Sequence, residues 1–273
     1  MQKSEKFSNK PKKFWAQVKL ISMKLGYSKG DEIKKHSAED IVKCLETIGL
    51  DGSHIIKNGK VTNEGQDLVD YFKFRSDFLA KNAEKNLMNR DQAKEVFDKL
   101  RAESKIDVPL PLNKQKGEKR HHAYLTGIVN MLTAKALGNA DFDHDPRSLI
   151  VITNGDSPIQ TLSRRVDGAY PSTTNPRAIW EIKEYYGTTT FGSRVADGVY
   201  ETLLDGYELD DLRSSDDIKV GHYLIVDDYY TWWSCGKSYL CRMVDMMHAG
   251  FVDEVIFGKE ILDRWSKIVR SWK

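Results

Sequence analysis

The segment Ala178-Ile179-Trp180-Glu181-Ile182-Lys183 predicts a β-strand, because it is rich in β-branched and aromatic residues. Side chains two positions apart on a strand point to the same face. Glu181 and Lys183 therefore share one face, and the apolar side chains of Trp180 and Ile182 share the other. A carboxylate and an ammonium side by side on a half-buried strand lose hydration. That cost indicates that the pair has a chemical task.

A second carboxylate precedes this strand. Residues 160–167 predict another strand, which ends at Asp167 and Gly168, and a loop with two prolines follows. If the two strands pair antiparallel, Asp167 lies beside Glu181, and two carboxylates can share a hard divalent cation. Such an ion activates a bound water and offsets charge on a phosphodiester, while Lys183 orients the water or helps to deprotonate it.

The pattern of Asp167 followed by Glu181-Ile182-Lys183 resembles the motif of the PD-(D/E)XK nuclease superfamily, which contains most type II restriction endonucleases. Val166 stands at the proline of the motif, a position that supplies no ligand. The resemblance implies that Asp167, Glu181 and Lys183 are catalytic and that Asp167 and Glu181 bind Mg²⁺. The alternative is a surface strand on which Glu181 and Lys183 form an ion pair, with Asp167 in an unrelated turn.

The flanking elements follow the α-β-β-β-α-β order of that superfamily. We therefore expect the α/β (α+β) class, with a restriction-endonuclease-like mixed central sheet flanked by helices. The predicted helices cover residues 117–137, 194–207 and 237–248 and a closing segment, and the further strands cover residues 148–153, 221–227 and 254–257. The first helix often supplies a glutamate to the metal in this superfamily, which the resemblance places at Glu118; the alternative is a partner of the helix dipole.

Several polar and aromatic side chains are candidates for contact with double-stranded DNA. The segment 185–194 offers hydroxyl groups and a helix start, which suit phosphate groups, although an ordinary polar loop fits equally well. Aromatic residues beyond the strand at 221–227 suit bases or sugars, or else a core or a dimer interface. The predicted DNA-binding residues are Ser193, Arg194, Thr189, Thr190, Tyr229, Tyr230, Lys12 and Lys13.

Residues 1–106 predict a separate, basic and mainly helical domain ahead of the nuclease domain at 107–273. The first 120 residues contain 26 basic and 18 acidic residues, against 16 and 22 in the rest. The lysines from Lys3 to Lys13 predict a flexible arm that follows a DNA backbone or acts as a solubilising tail. The helix starting at Ser37 and the Asn58-Gly59 hairpin are compatible with a winged-helix module; a plain helical lobe and a dimer interface are the alternatives.

The remaining composition excludes several classes. The chain has no apolar run long enough for a bilayer, no signal peptide, and three scattered cysteines, which predicts a cytoplasmic protein. Gly236-Lys237-Ser238 lacks the first glycine of a phosphate-binding loop, so no nucleotide cofactor is expected. We expect a Mg²⁺-dependent type II restriction endonuclease, and a homodimer because two strands require two centres. The alternatives are a related nuclease of repair, recombination or phage processing, and a non-catalytic winged-helix DNA-binding regulator.

Overall fold

The computed structural model describes residues 3–103, 108–113, 117, 120–138, 140–186 and 192–273. Two groups of elements follow each other along the chain. The first comprises α1 Glu5–Ser8, α2 Lys12–Leu25, β1 Ser28–Lys29, β2 Glu32–Ile33, α3 Ala38–Thr47, β3 Ile56–Lys57, β4 Lys60–Val61 and α4 Asn63–Asn86. The second comprises α5 Arg90–Glu103, α6 Tyr124–Leu137, β5 Val151–Asn154, β6 Ser157–Thr161, β7 Gly168–Tyr170, β8 Ala178–Glu184, α7 Ser193–Asp216, β9 Gly221–Asp227, α8 Lys237–His248, β10 Glu254–Phe257 and α9 Ile261–Arg270.

A four-stranded mixed sheet lies at the centre of the second group. Its strand order is β10-β9-β8-β7, in which β8, β9 and β10 run parallel and β7 pairs antiparallel with β8. Trp180 and Ile182 pack with α5, α6 and α9 on one face. Leu224 and Val226 of β9 pack with α7 and α8 on the other face. The predicted α+β class, with a mixed sheet between helices, is confirmed.

The alternation predicted for β8 is also confirmed. Trp180 lies in the core beneath α6 and α9, whereas Ile179 packs against Leu209 and Leu212 of α7. Glu181 and Lys183 share the face of Ile179, so both charged side chains point toward α7. The strand therefore presents its ionic pair to one layer of helices and its aromatic side chain to the other.

Several boundaries differ from the prediction, and three of the differences are large. The helix predicted from residue 117 begins at Tyr124, because residues 121–123 exchange backbone hydrogen bonds with Pro111 and Asn113 instead of continuing the helix. The strand predicted over 160–167 ends at Thr161, where β6 pairs with β5, and β7 begins separately at Gly168. Helix α7 continues to Asp216, nine residues beyond its predicted end.

The predicted local signals of the N-terminal helices are present. The side chain of Ser37 accepts from the backbone of Asp40 and the Asp40 side chain accepts in return, which is the expected capping box of α3. Asn58 and Gly59 have φ of 51° and 74°, as the two-residue hairpin turn between β3 and β4 requires. A further hairpin, β1–β2, stands between α2 and α3, and the winged-helix assignment stays a prediction.

The prediction of a flexible basic arm is wrong. Phe7 is 2% exposed and its ring packs against those of Tyr71 and Phe74 on α4. The lysines on either side are held by a row of acids spaced three apart on the same helix, in the pairs Lys6–Asp70, Lys10–Asp67 and Lys13–Glu64. A buried aromatic anchor and complementary charges thus fix the segment. Removing the residues before Phe14 deletes part of a core and not a free tail.

A buried ion pair joins α4 to α8. The Arg75 guanidinium lies 2.9 Å from Asp245 Oδ2, and the residues are 0% and 4% exposed. The hydroxyl of Tyr71 donates to Asp245 Oδ1 at 2.6 Å, and Ser22 Oγ accepts from Arg75 at 3.1 Å. This network ties the N-terminal helices to a helix that covers the central sheet.

We expect Arg75→Met to lower the free energy of unfolding by about 3–5 kcal/mol, because it leaves a buried carboxylate without its cation. Urea unfolding followed by circular dichroism measures this. The double variant Arg75→Met/Asp245→Leu removes both charges and should recover most of the loss. A double variant that is less stable than Arg75→Met would contradict the ion-pair explanation.

Candidate active site

Asp167 lies directly before β7, beside the charged face of β8. Its backbone N–H donates to Trp180 O at 3.1 Å, and its Oδ2 accepts from the Ile182 N–H at 2.8 Å. Gly168 pairs with Trp180 in the antiparallel register, so Asp167 falls opposite Glu181. An antiparallel pairing thus sets Asp167 opposite Glu181 as predicted, but β7 makes it and the predicted strand over 160–167 does not.

A glycine makes this approach possible. A Cβ atom on Gly168 would lie 2.0 Å from Cε2 of Trp180, far inside contact distance. The indole of Trp180 stacks on Trp272 at a centroid distance of 5.6 Å and an interplanar angle of 13°. The backbone beside Asp167 therefore rests directly on the aromatic core.

Glu181 and Lys183 form a buried ion pair on β8. Lys183 Nζ lies 2.8 Å from Glu181 Oε2 and 3.3 Å from Glu201 Oε2. Burial lowers the pKa of Lys183, but the carboxylates of Glu181 and Asp167 outweigh it and raise that pKa above its usual value. Lys183 is therefore a cation at neutral pH. Its ammonium can donate hydrogen bonds to a water or a phosphate oxygen, which favours an orienting role over deprotonation.

The pKa values of the two opposed carboxyl groups are shifted in opposite directions. Desolvation, which is the larger cause, and the charge of Glu181 raise the pKa of Asp167 to about 6. Burial also raises the pKa of Glu181, but Lys183 and Arg164 outweigh it and hold that pKa below its usual value. Glu181 is thus ionised at neutral pH, and Asp167 is a carboxyl group that another cation nearby would ionise more fully.

Three residues that the sequence analysis missed complete the cluster. Arg164 binds Glu181 through both nitrogens, Nη1 to Oε1 at 2.9 Å and Nη2 to Oε2 at 3.1 Å. The same Nη1 lies 2.6 Å from Asp205 Oδ2, and Nη2 lies 3.4 Å from Glu201 Oε2. Glu201 and Asp205 are four residues apart on α7, so they project from one side of that helix.

The Asp205 carboxyl is held in an unusual environment. The residue is 0% exposed, and its Oδ1 has no hydrogen-bond partner among the described residues. Burial raises the pKa of Asp205 to about 7, although Arg164 opposes the shift. The i, i+4 spacing of Glu201 and Asp205 was the only sequence signal for this part of the site.

Glu184 closes β8 on the opposite face. Its Oε2 accepts from the backbone N–H of Thr126 at 2.9 Å, in the first turn of α6. Burial raises the pKa of Glu184 to about 7 against the effect of these backbone hydrogen bonds. Glu184 therefore satisfies an otherwise free N–H at the start of α6. Glu118, the predicted helix ligand of the metal, lies outside the described residues.

The predicted DNA-binding residues do not all lie together. Arg194 and Ser193 are exposed in the first turn of α7. This turn lies next to the end of β8, because the hydroxyl of Tyr185, the residue after β8, donates to Arg194 O at 3.0 Å. Tyr230 is 56% exposed after β9, next to Tyr229 at 36%. Lys12 and Lys13 belong to α2 of the N-terminal group. Thr189 and Thr190 lie outside the described residues.

The aromatic run after β9 divides into two parts. Trp232 and Trp233 are buried in a π-helix, Tyr230–Cys235, and pack in the core beneath α7 and α8. Their side chains are thus core residues and do not reach a ligand. Only the two tyrosines of this run keep exposed rings.

Within the described ranges, no group of three or more His, Cys, Asp or Glu side chains could hold a metal ion. Asp167 and Glu181 are the two carboxylates that the predicted metal centre offers there. The described part of the chain also has no helix both long and apolar enough to cross a membrane.

Two protein-family models match most of the chain. A model described as a domain of unknown function, DUF7687, matches residues 88–272, more than half of the chain. The chain belongs to the DUF7687 family. A second model, the domain of unknown function DUF7690, matches residues 1–82. No curated protein and no solved structure matches the chain.

The charged cluster lies entirely within the DUF7687 region. That region begins at Met88, just after α4, and includes α5, which packs on α6 in the core beneath the sheet. The DUF7690 match ends inside α4. The boundary predicted between residues 106 and 107 stays a prediction.

Proposed function

We propose that this protein is a Mg²⁺-dependent endonuclease of the type II restriction class, which hydrolyses phosphodiester bonds in double-stranded DNA. The observation that carries the proposal is the position of Asp167 opposite Glu181, with the Lys183 ammonium 2.8 Å from Glu181. This arrangement supports the resemblance to the PD-(D/E)XK superfamily that the sequence pattern indicates.

The donor set suits a hard cation. Asp167 and Glu181 offer carboxylate oxygens, the ligand type that Mg²⁺ prefers. Desolvation and, after it, the charge of Glu181 raise the pKa of Asp167 to about 6, and a divalent cation at this carboxyl group would favour its ionised form. When bound there, the ion would supply an activated water and offset charge on the phosphate.

The chain's own residues then have separate tasks. Asp167 and Glu181 would hold the cation. Lys183, which stays protonated, donates to the attacking water or to a phosphate oxygen and so orients the reaction. Arg194 and Ser193 lie in the first turn of α7 and would bind a phosphate of the DNA backbone, because helix N-termini attract anions.

The remaining parts of the proposal concern the partners. Tyr229 and Tyr230 present exposed rings that would contact bases or sugars. Cutting both strands of a duplex requires two centres, which a homodimer would provide. We place the protein in the cytoplasm, where DNA and reduced cysteines are both found.

One observation favours a different role for the cluster. Arg164 and Lys183 together bind both oxygens of Glu181, as they would in an ion-pair network that only stabilises the fold. In that case the chain would be a DNA-binding or structural protein without hydrolytic activity. A direct assay separates the two possibilities.

Incubation of the full chain with plasmid DNA should give cleavage in Mg²⁺ and none in EDTA. Ca²⁺ should support binding, measured by gel mobility shift, with little or no cleavage. Discrete bands would indicate a specific site, and a smear would indicate one of the related nucleases. Cleavage that persists in EDTA would overturn the proposal. So would the absence of cleavage in Mg²⁺ on linear, supercoiled and branched DNA alike.

A further inference from the structure

We propose that the Arg164 guanidinium is a built-in competitor of the divalent cation at Glu181: the cation binds by displacing Arg164, which then moves fully onto Asp205. The inference rests on the proposed function in that it takes Glu181 as a metal ligand. It adds two positioning residues, Arg164 and Asp205, that the predicted catalytic set does not include.

The hydrogen bonds that Glu181 already accepts favour such a displacement. A carboxylate accepts about four hydrogen bonds in total. Oε2 already accepts from Lys183 at 2.8 Å and from Arg164 at 3.1 Å, and Oε1 accepts from Arg164 at 2.9 Å. Three of these positions are thus occupied and Glu181 is 0% exposed, so a cation gains a second position on this carboxylate only after one of the donors leaves.

Arg164 is the donor that is free to leave. It lies in the connection between β6 and β7, outside any helix or strand, and its side chain is 21% exposed. Lys183 lies within the central strand β8, and its side chain is 10% exposed. The connection has more room to adjust than a strand that is paired on both sides.

Asp205 offers the place to which Arg164 would move. Its Oδ2 already accepts from Arg164 Nη1 at 2.6 Å, while its buried Oδ1 has no partner among the described residues. A buried, unpaired carboxylate oxygen is costly. If Arg164 releases Glu181, its second nitrogen can donate to Oδ1 and complete the bidentate pair that guanidinium and carboxylate favour.

The exchange also balances the charges. The cluster contains the four carboxyl groups of Asp167, Glu181, Glu201 and Asp205, and among the described residues the cations that pair with them are Arg164 and Lys183. With no divalent ion bound, Arg164 neutralises Glu181 and keeps the carboxylates together. With one bound, Arg164 neutralises Asp205 instead. Arg164 would thus lower the metal affinity and keep the site assembled without metal.

Isothermal titration of the full chain with Mn²⁺, without DNA, tests this exchange. Arg164→Met should bind Mn²⁺ more tightly than the parent, by a factor within the roughly 5–150-fold range of typical site-to-site coupling. Asp205→Asn should bind it more weakly, because Arg164 then loses its alternative partner and stays on Glu181. The exposed neighbour Arg165 provides the matched control, Arg165→Met, which should bind as the parent does.

A crystal structure of the parent with Mn²⁺ provides a second measurement that does not depend on the variants folding. Arg164 should have left Glu181 and should contact both oxygens of Asp205. An Arg164 that still binds both oxygens of Glu181 in that structure would overturn the inference. So would equal or weaker Mn²⁺ binding by a folded Arg164→Met variant.

The experiment separates this inference from the proposed function. If Arg164→Met strengthens Mn²⁺ binding and Asp205→Asn weakens it, but the protein cleaves no DNA, the exchange is supported and the proposed nuclease function is overturned. If the protein cleaves DNA in Mg²⁺ but neither variant changes the Mn²⁺ affinity, the nuclease function is supported and the exchange is overturned. Absence of Mn²⁺ binding in parent and Arg164→Met alike would overturn both.

Discussion

Asp167→Asn and Glu181→Gln should each abolish DNA cleavage in Mg²⁺ while leaving the fold and DNA binding intact. Each change removes one carboxylate charge and little volume, and an amide oxygen at position 167 can still accept from the N–H of Ile182. A divalent ion contributes several kcal/mol to the transition state, and each 1.36 kcal/mol is a factor of ten, so we expect a loss of about 10³-fold or more.

Single-turnover cleavage at saturating protein measures this loss. Asp156→Asn is the matched control, because Asp156 is an exposed acid in the turn between β5 and β6. Gel mobility shift in Ca²⁺ should show that all three variants bind DNA. Parent-like cleavage by Asp167→Asn would show that the opposed carboxylates are a structural pair.

Lys183→Met should slow cleavage by about 10²–10⁴-fold, the range for a lost proton-transfer or orienting contact. Burial lowers the pKa of Lys183, but the charges of Glu181 and Asp167 raise it by more. The parent therefore keeps this ammonium throughout the neutral pH range. Mn²⁺ binding should survive the change, because lysine coordinates no metal here.

Lys219→Met, at an exposed lysine ahead of β9, is the control for loss of a positive charge near the sheet. Rapid-quench kinetics compare the two variants at equal Mg²⁺. If Lys183→Met cut DNA at the parent rate, Lys183 would serve only as the ion-pair partner of Glu181, and the proposed mechanism would need another group to orient the water.

Much of the fold could be predicted because several elements carry complete local signals. Strands β9 and β10 and helix α8 have the predicted bounds, since each is an apolar or amphipathic run bounded by turn residues. The capping box at Ser37 and the turn at Asn58-Gly59 depend on neighbouring residues alone. Such signals need no information from distant parts of the chain.

The boundaries that could not be predicted depend on distant partners. Residues 121–123 leave the helical pattern because they pair with residues 111–113. The lysines near the N-terminus form no arm because Glu64, Asp67 and Asp70 happen to stand opposite them on α4. Helix α5 carried no strong signal and was not predicted at all.

The candidate site shows the same division. The Asp167, Glu181 and Lys183 set follows from strand alternation and one hairpin. Arg164 and Asp205 are separated by 41 residues and meet only through the packing of α7 on the sheet. No motif connects them, so their contact requires the three-dimensional structure.

Gly168 limits how this part of the sequence can vary. Any side chain at that position would collide with the Trp180 indole, and the backbone that carries Asp167 would have to move with it. Substitutions at Trp180 or Trp272 that change the shape of the aromatic stack would reach Asp167 by the same route. The glycine, the stack and the carboxylate therefore form one mechanical unit, in which a mutation in the hydrophobic interior would displace Asp167 as a mutation beside the carboxylate would.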